Sequence, residues 1–266
     1  MSTSADRPRL VLFDDDAGCF GPLVDLRPSF ALRTGAMTTA ERWIARFGRP
    51  CALRTLPALA ALVAEESPPA PLPEGSRFLV ANGRLADPVE PEPGEALCAD
   101  GAILAAELDR AETELFLRDG RWPDRLRRRA LASAPLRAPW DILDGLGDRI
   151  RADIGTWEAQ AESLGFARLG DPHPSRMGSY PILVHREATL APQIALDASG
   201  GPIAIGRGAV IRPFATLVGP CSIGPGTIVG ERALIKANTT CGPHCRLGGE
   251  IGGTTIAGYS NKSHDG

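Results

Sequence analysis

The chain has 266 residues and a formal net charge of −3, from 29 basic and 32 acidic side chains. That near balance excludes a strongly basic nucleic-acid binder and an acidic solvating chain, and the length suffices for one large or two ordinary domains that need no disulfide or metal staple. No apolar run approaches the roughly 20 residues that cross a bilayer, and the first ten residues lack the apolar stretch of a secretory leader, so no membrane partner is expected and the expected location is the cytoplasm.

Glycine (30) and proline (24) are abundant and aromatics scarce at 5%, which favours many turns around small aliphatics. Lys236 and Lys262 are the only lysines, so lysine chemistry is closed to the N-terminal half. In chain order, Arg9–Phe13 reads as a strand that ends in the polar loop Asp14-Asp-Asp-Ala-Gly18. Thr38-x-x-Glu41 is a capping box, opening a helix with Trp43, Ile44 and Phe47 on one face and Gly48 and Pro50 at its end. A strand is expected near Cys51–Leu56. Ala58–Glu66 reads as a helix with Leu59, Leu62 and Val63 inside, and Ser67–Pro73 as a loop. Arg77–Ala81 is a further strand, entering the turn Asn82-Gly83-Arg84. Ala102–Leu108 is apolar without a decisive period. Strands alternating with helices suggest a layered α/β sheet. Residues 122–168 read as charged and helical, with a helix start at Pro139-Trp140-Asp141, and Gly170–Pro174 as a hinge.

From residue 205 a repeat takes over. Ile205, Ile211, Leu217, Ile223, Val229, Ile235, Cys241 and Leu247 recur every six positions. A small residue follows four places later at Ala209, Ala215, Cys221, Thr227, Ala233, Thr239 and Cys245, until Ile251 breaks the row. Six is not a helical period. Short strands joined by tight corners satisfy it, each aliphatic stacking on its equivalent one coil away, so the segment builds a solenoid. Val184–Thr189 and Leu190–Ala195 look like a first coil, which Asp197–Pro202 then interrupts. Cys241-Gly-Pro-His244-Cys245 has the outward form of a metal cluster, but the repeat accounts for both cysteines as packing residues, and Cys19, Cys51 and Cys98 are scattered. His244 reads as an outward residue; His173 and His185 receive no role.

The hexads resemble those of the hexapeptide-repeat acyltransferases, in which three hexads form one triangular coil. Asp25-Leu-Arg27-Pro28, Leu32-Arg33-Thr-Gly35, Thr38-x-x-Glu41-Arg-Trp43, Asn82-Gly-Arg84, Pro139-Trp-Asp141 and Gly258–Gly266 resemble a bacterial GlmU-like subfamily of sugar nucleotidyltransferases, related to the bifunctional enzymes of UDP-N-acetylglucosamine synthesis. The resemblance implies a Rossmann-type α/β nucleotidyltransferase-like domain at 8–121, a helical connector at 122–180 and a left-handed parallel β-helix at 181–266. It also implies a homotrimer. The substrates would be a sugar phosphate and a nucleoside triphosphate, with pyrophosphate released.

Such transfer needs backbone N–H groups and cations at the phosphates, usually with a metal held by carboxylates. Here Asp14–Asp16 stands where the family has its glycine-rich loop, Ser29 where it has a lysine, and Asn82 at the strand end that often carries the metal aspartate. Two readings stand side by side. In one, Arg27, Arg33 and Arg84 bind phosphates with Gly35 and Asn82 nearby, and Asp14 and Asp16 hold Mg2+. In the other, the arginines are surface or paired residues and the aspartates a solvated loop. For acyl transfer, the resemblance makes His264 the general base, a role that histidine suits. Lys236, Asn261 and Lys262 would bind sugar or coenzyme phosphates, or else are solvated residues of a coil face. The family's sugar-binding lysine falls on Gly252. The coils that would bind acetyl-CoA lie beyond residue 266, so the chain reads as a fragment, and acetyl-CoA would serve only a longer one. The alternative to an enzyme is a degenerate sugar-nucleotide-binding or scaffold protein.

Overall fold

The computed structural model describes residues 7–74, 77–170 and 173–264. The expected hinge at 170–174 therefore lies partly outside the described residues, as does the Asp265-Gly266 end of the last motif. The chain forms two compact units. Unit 1 comprises residues up to Leu32 and Thr38–Asp141; unit 2 comprises Arg33–Met37 and Ile142 onward. The division thus falls at 141/142 rather than at 121/122 or 180/181, and the short Arg33–Met37 segment goes with unit 2.

Unit 1 is built on a mixed sheet of β1 (Arg9–Phe13), β2 (Ala52–Arg54), β3 (Phe78–Asn82), β4 (Glu95–Ala99), β5 (Ala102–Leu108) and β6 (Arg127–Ala130), in the order β2-β1-β3-β5-β4-β6. β1 runs parallel to β2 and β3; β5 is antiparallel to β3 and β4; β6 is parallel to β4. The inner strands β1 and β3 are apolar almost throughout because both faces are covered. Val11, Phe13, Phe78 and Val80 point to one core with Phe116, while Leu10, Leu12, Leu79 and Ala81 point to the other with Trp43 and Phe30. Helix α1 (Thr39–Phe47) opens with the expected capping box and ends at Gly48. Its Trp43 indole N–H donates to the Leu85 carbonyl at 2.9 Å, fixing the helix to the turn after β3.

The expected helix at 58–66 is a 3-10 turn at Pro57–Leu59 followed by α2 (Ala60–Glu66). Leu62, expected inside, is exposed. Ala102–Leu108 resolves as a strand. The sequence reading assigned neither β4 nor α3 (Arg110–Asp119), and β6 lies in the stretch it took as helical. Helix α4 spans Pro139–Leu143, at the proline that signalled it.

In unit 2, from Arg176 onward, two- to four-residue strands fall into three parallel sheets that the chain visits in turn. Partners such as Ile203, Cys221 and Thr239 lie three hexads apart. The Asp197–Pro202 insert lengthens the first coil, so that Ile182 pairs with Ile203. The last coil closes in fewer residues, pairing Thr240 with Thr255. This explains Ile251: it opposes Ile235 and occupies an inward aliphatic slot, not a small-residue one. Ile205, Leu217, Ile223, Val229, Ile235 and Leu247 share one buried core with Cys221, Cys241 and Cys245. Burial pushes the Cys221 thiol up to about 12, as befits a packing residue. Strand β7 (Phe166–Arg168) pairs antiparallel with Ile182–His185. Helix α5 (Leu146–Ala159) lays Leu146, Ile150 and Ile154 over Leu183 and Ala204 on the outside of the same sheet.

The coils approach one another closely at their corners. A Cβ on Gly224 would sit 2.2 Å from the Gly242 carbonyl oxygen, whereas on Gly230 the nearest atom is 3.3 Å away. Gly224→Ala is expected to lower stability by about 1–3 kcal/mol through overpacking, and Gly230→Ala by much less; equal urea midpoints for the two variants would contradict this stacking. In unit 1, the hydrogen bond from Arg125 holds the Glu112 carboxyl below its ordinary 4.5. That contribution is complete above the ordinary value and is lost as pH falls through the depressed one. Glu112→Gln should therefore flatten the acid limb of a thermal-stability profile and leave its neutral plateau lower.

Candidate functional site

The C-terminal ends of β1 and β3 lie side by side, Phe13 opposite Asn82, and this edge gathers most of the residues singled out in the N-terminal half. Asp14 is buried, and its carboxylate is fully engaged. Oδ2 accepts the Ser29 N–H at 2.8 Å, and Oδ1 accepts the Ser29 hydroxyl and the Asp15 N–H, each at 3.0 Å. Ser29 thus stands as a tether for the loop, at the place where the resemblance sets a lysine. The tethered segment lies against Gly83, where a Cβ would come within 2.4 Å of the Ser29 hydroxyl oxygen and 2.5 Å of the Phe30 nitrogen; only glycine fits.

Asp15 pairs with Arg84 through two bonds, Nε to Oδ1 at 3.0 Å and Nη2 to Oδ2 at 2.8 Å. Arg84 is only 3% exposed, and its Nη1 also donates to the Leu136 carbonyl. Asn82 is fully buried; its Oδ1 accepts the Arg84 N–H at 2.8 Å, while its Nδ2 has no partner among the described residues. Asp16 is exposed, on left-handed backbone. Arg27 is half-exposed, two residues before Ser29, and among the described residues it makes no ion pair or hydrogen bond.

Arg137 joins the same edge. Its guanidinium makes two 2.8 Å bonds to Asp100 and holds that carboxyl below the usual range. Its carbonyl accepts the Cys19 N–H at 2.6 Å, and the neighbouring Leu136 N–H donates to the Arg84 carbonyl at 2.9 Å. Asp141 in turn accepts the N–H groups of Arg137 and Ala138. Asp100 was not read as functional from the sequence, Asp15 was noticed only as part of the Asp14–Asp16 run, and Asp141 only within the Pro139-Trp-Asp141 motif.

The two expected metal ligands do not converge. Asp14 is spent on Ser29 and the loop backbone, Asp15 on Arg84, and Asp16 faces solvent. Among the described residues no three His, Cys, Asp or Glu side chains group to hold an ion. This donor set does not fit Mg2+. Arg33 and Gly35 belong to unit 2, where Arg33 donates to the Ala36 carbonyl, Thr34 N–H to Met37 O, and Asp153 accepts the Met37 N–H at 2.9 Å.

The residues read for acyl transfer lie on the coil. Lys262 Nζ donates to the Gly248 and His264 carbonyls at 3.1 and 2.7 Å, and Asn261 and His264 are exposed. Lys236 sits on another sheet, paired with Glu250, and its stem lies across Gly252, where a Cβ would touch it at 3.0 Å. The aliphatic stem of Lys236 thus covers the position where the resemblance implies a lysine, while its ammonium is paired with Glu250.

Residues 10–162, more than half of the chain, match the family described as sugar nucleotidyl transferase. The chain belongs to that family. No curated protein matches the sequence. The family segment covers the whole sheet edge just described, and it includes Asp14, Arg27, Asn82, Arg84 and Trp140. No helix among the described residues is long and apolar enough to cross a membrane.

The buried Arg84–Asp15 pair gives a direct test of this edge. Arg84→Ala leaves the partly exposed Asp15 without its cation and is expected to cost about 1–3 kcal/mol in denaturant unfolding. Restoring neutrality with Asp15→Asn in the same chain should recover part of the loss. An unchanged midpoint in Arg84→Ala would mean that the pair does not hold the loop.

Proposed function

We propose that the chain is a sugar-phosphate nucleotidyltransferase of the GlmU-like kind, working at the C-terminal edge of the unit 1 sheet. The observation that carries this reading is the family match over residues that include every side chain of that edge. The sugar phosphate attacks the triphosphate and pyrophosphate leaves, so the site has to hold negative charge on both sides of the reacting phosphorus. Arg27 is the cation positioned for that task, because it is half-exposed and unpaired among the described residues. Arg84 contributes by holding Asp15 and the Leu136 segment, not as a phosphate ligand at rest. The Asn82 Nδ2 donor, buried without a partner among the described residues, is a further group for a phosphate or sugar oxygen once the edge opens.

In the same reading the coil of unit 2 is the left-handed β-helix of the hexapeptide acyltransferases, it forms a trimer, and the protein works in the cytoplasm on UDP-N-acetylglucosamine-type nucleotides. Acetyl transfer from acetyl-CoA would use His264 as the base. The Lys236 stem that lies over Gly252 supports this, although its ammonium is paired with Glu250. One observation favours a second reading, a sugar-nucleotide-binding protein without turnover: the buried arginine of the edge is neutralised by Asp15.

The test is release of pyrophosphate from UTP or dTTP with a series of hexose 1-phosphates, magnesium being supplied with the triphosphate. Turnover that falls at least tenfold in Arg27→Ala supports the enzyme; UDP-sugar binding without turnover supports the second reading. Acetyl transfer to a hexosamine phosphate, assayed on a chain extended by further coils and abolished there in His264→Ala, supports the acyltransferase half, and its absence in that extended chain removes that half.

A further inference from the structure

We infer that Trp140 is the platform on which the heterocyclic base of the nucleotide stacks, an inference that rests on the nucleotidyl-transfer reading above. Of the four tryptophans, three are used in packing. Trp43 is buried and bonded to Leu85, Trp122 lies against Phe13 and Phe116, and Trp157 stacks on Phe166. Trp140 is 67% exposed.

A lone exposed aromatic is ordinary on a protein surface; what singles out this one is how firmly its segment is tied to the candidate site. Asp141 Oδ2 accepts the Arg137 and Ala138 N–H groups at 2.6 and 2.9 Å, closing the turn that presents the indole. Arg137 is pinned by its two bonds to Asp100. The Arg137 carbonyl holds the loop after β1 through Cys19, and Leu136 holds the turn after β3 through Arg84. The segment therefore bridges the two loops that open the edge, and it carries a flat apolar face out to solvent beside them. The backbone that carries the tryptophan is held in place before any ligand arrives, so stacking has to order only the indole side chain.

A nucleobase matches this presentation better than a sugar ring. It offers two flat π-faces that cover an indole, and base–aromatic stacking tolerates any base, whereas a pyranose lays only part of one face on the ring. The phosphates then extend toward Arg27, a cation of the same edge that is unpaired among the described residues.

The experiment uses the full chain and follows tryptophan fluorescence together with calorimetric binding. UTP, dTTP, inorganic tripolyphosphate and glucose 1-phosphate are the probes. Nucleotide is expected to quench the red-shifted emission of the exposed indole, while tripolyphosphate binds without quenching. Trp140→Ala should weaken nucleotide binding about tenfold, within the range of a base–aromatic contact, leave tripolyphosphate affinity unchanged, and be largely rescued by Trp140→Phe. Equal nucleotide affinity in the parent and Trp140→Ala overturns the inference while leaving nucleotidyl transfer standing, as does quenching by glucose 1-phosphate alone. If the parent chain takes up no nucleotide at all, both fall together.

Discussion

A single buried carboxylate organises the working edge of unit 1. Asp14 is taken out of water at the end of a central strand, and its charge is tolerated because three donors converge on it. Those donors come from its own loop and from Ser29, fifteen positions further on. The anion therefore fastens the Pro28–Phe30 segment against Gly83 and sets where Arg27 leaves the fold. A neutral or shorter side chain at 14 would loosen the loop, the tether and the arginine together.

The next residue uses its charge differently. Asp15 neutralises Arg84 and Asp100 neutralises Arg137, so among the described residues the edge has two committed cations beside the unpaired Arg27. A phosphate group competing for Arg84 would have to replace a two-point carboxylate contact of the same geometry, an exchange of one bidentate partner for another. This arrangement favours a site in which the buried pair keeps the scaffold and the exposed arginine meets substrate.

The sequence was most readable where geometry repeats. A period of six leaves few architectures, so the coil and its inward rows could be named residue by residue. Ile251 looked like a fault in the rhythm only because the last coil closes in fewer residues, a change of loop length to which the hexad pattern is blind. The capping box at Thr38 and the proline at 139 were equally plain, being local. Partner choice was not. Asp14, Asp15 and Asp16 are chemically identical on paper, and three consecutive carboxylates suggested a metal. Their fates differ because one points into the sheet end, one toward β3 and one to solvent, and tertiary packing alone decides that. The strand at Glu95–Ala99 and the helix after Asp109 were missed for a related reason. A mostly small-residue strand carries little period, and the Asp109–Glu112 box lies outside any apolar run that would draw attention to it.

Strand β7 gives the coil a direction. Two of its sheets begin with strands, Arg176–Met177 and Thr189–Leu190, that run in the same sense as all those after them, but the third begins with a short strand running the opposite way. A foreign coil docking end-on there would need parallel partners on all three sides at once and would find one side reversed. The prism is thereby blunted against growth into a fibre from that end.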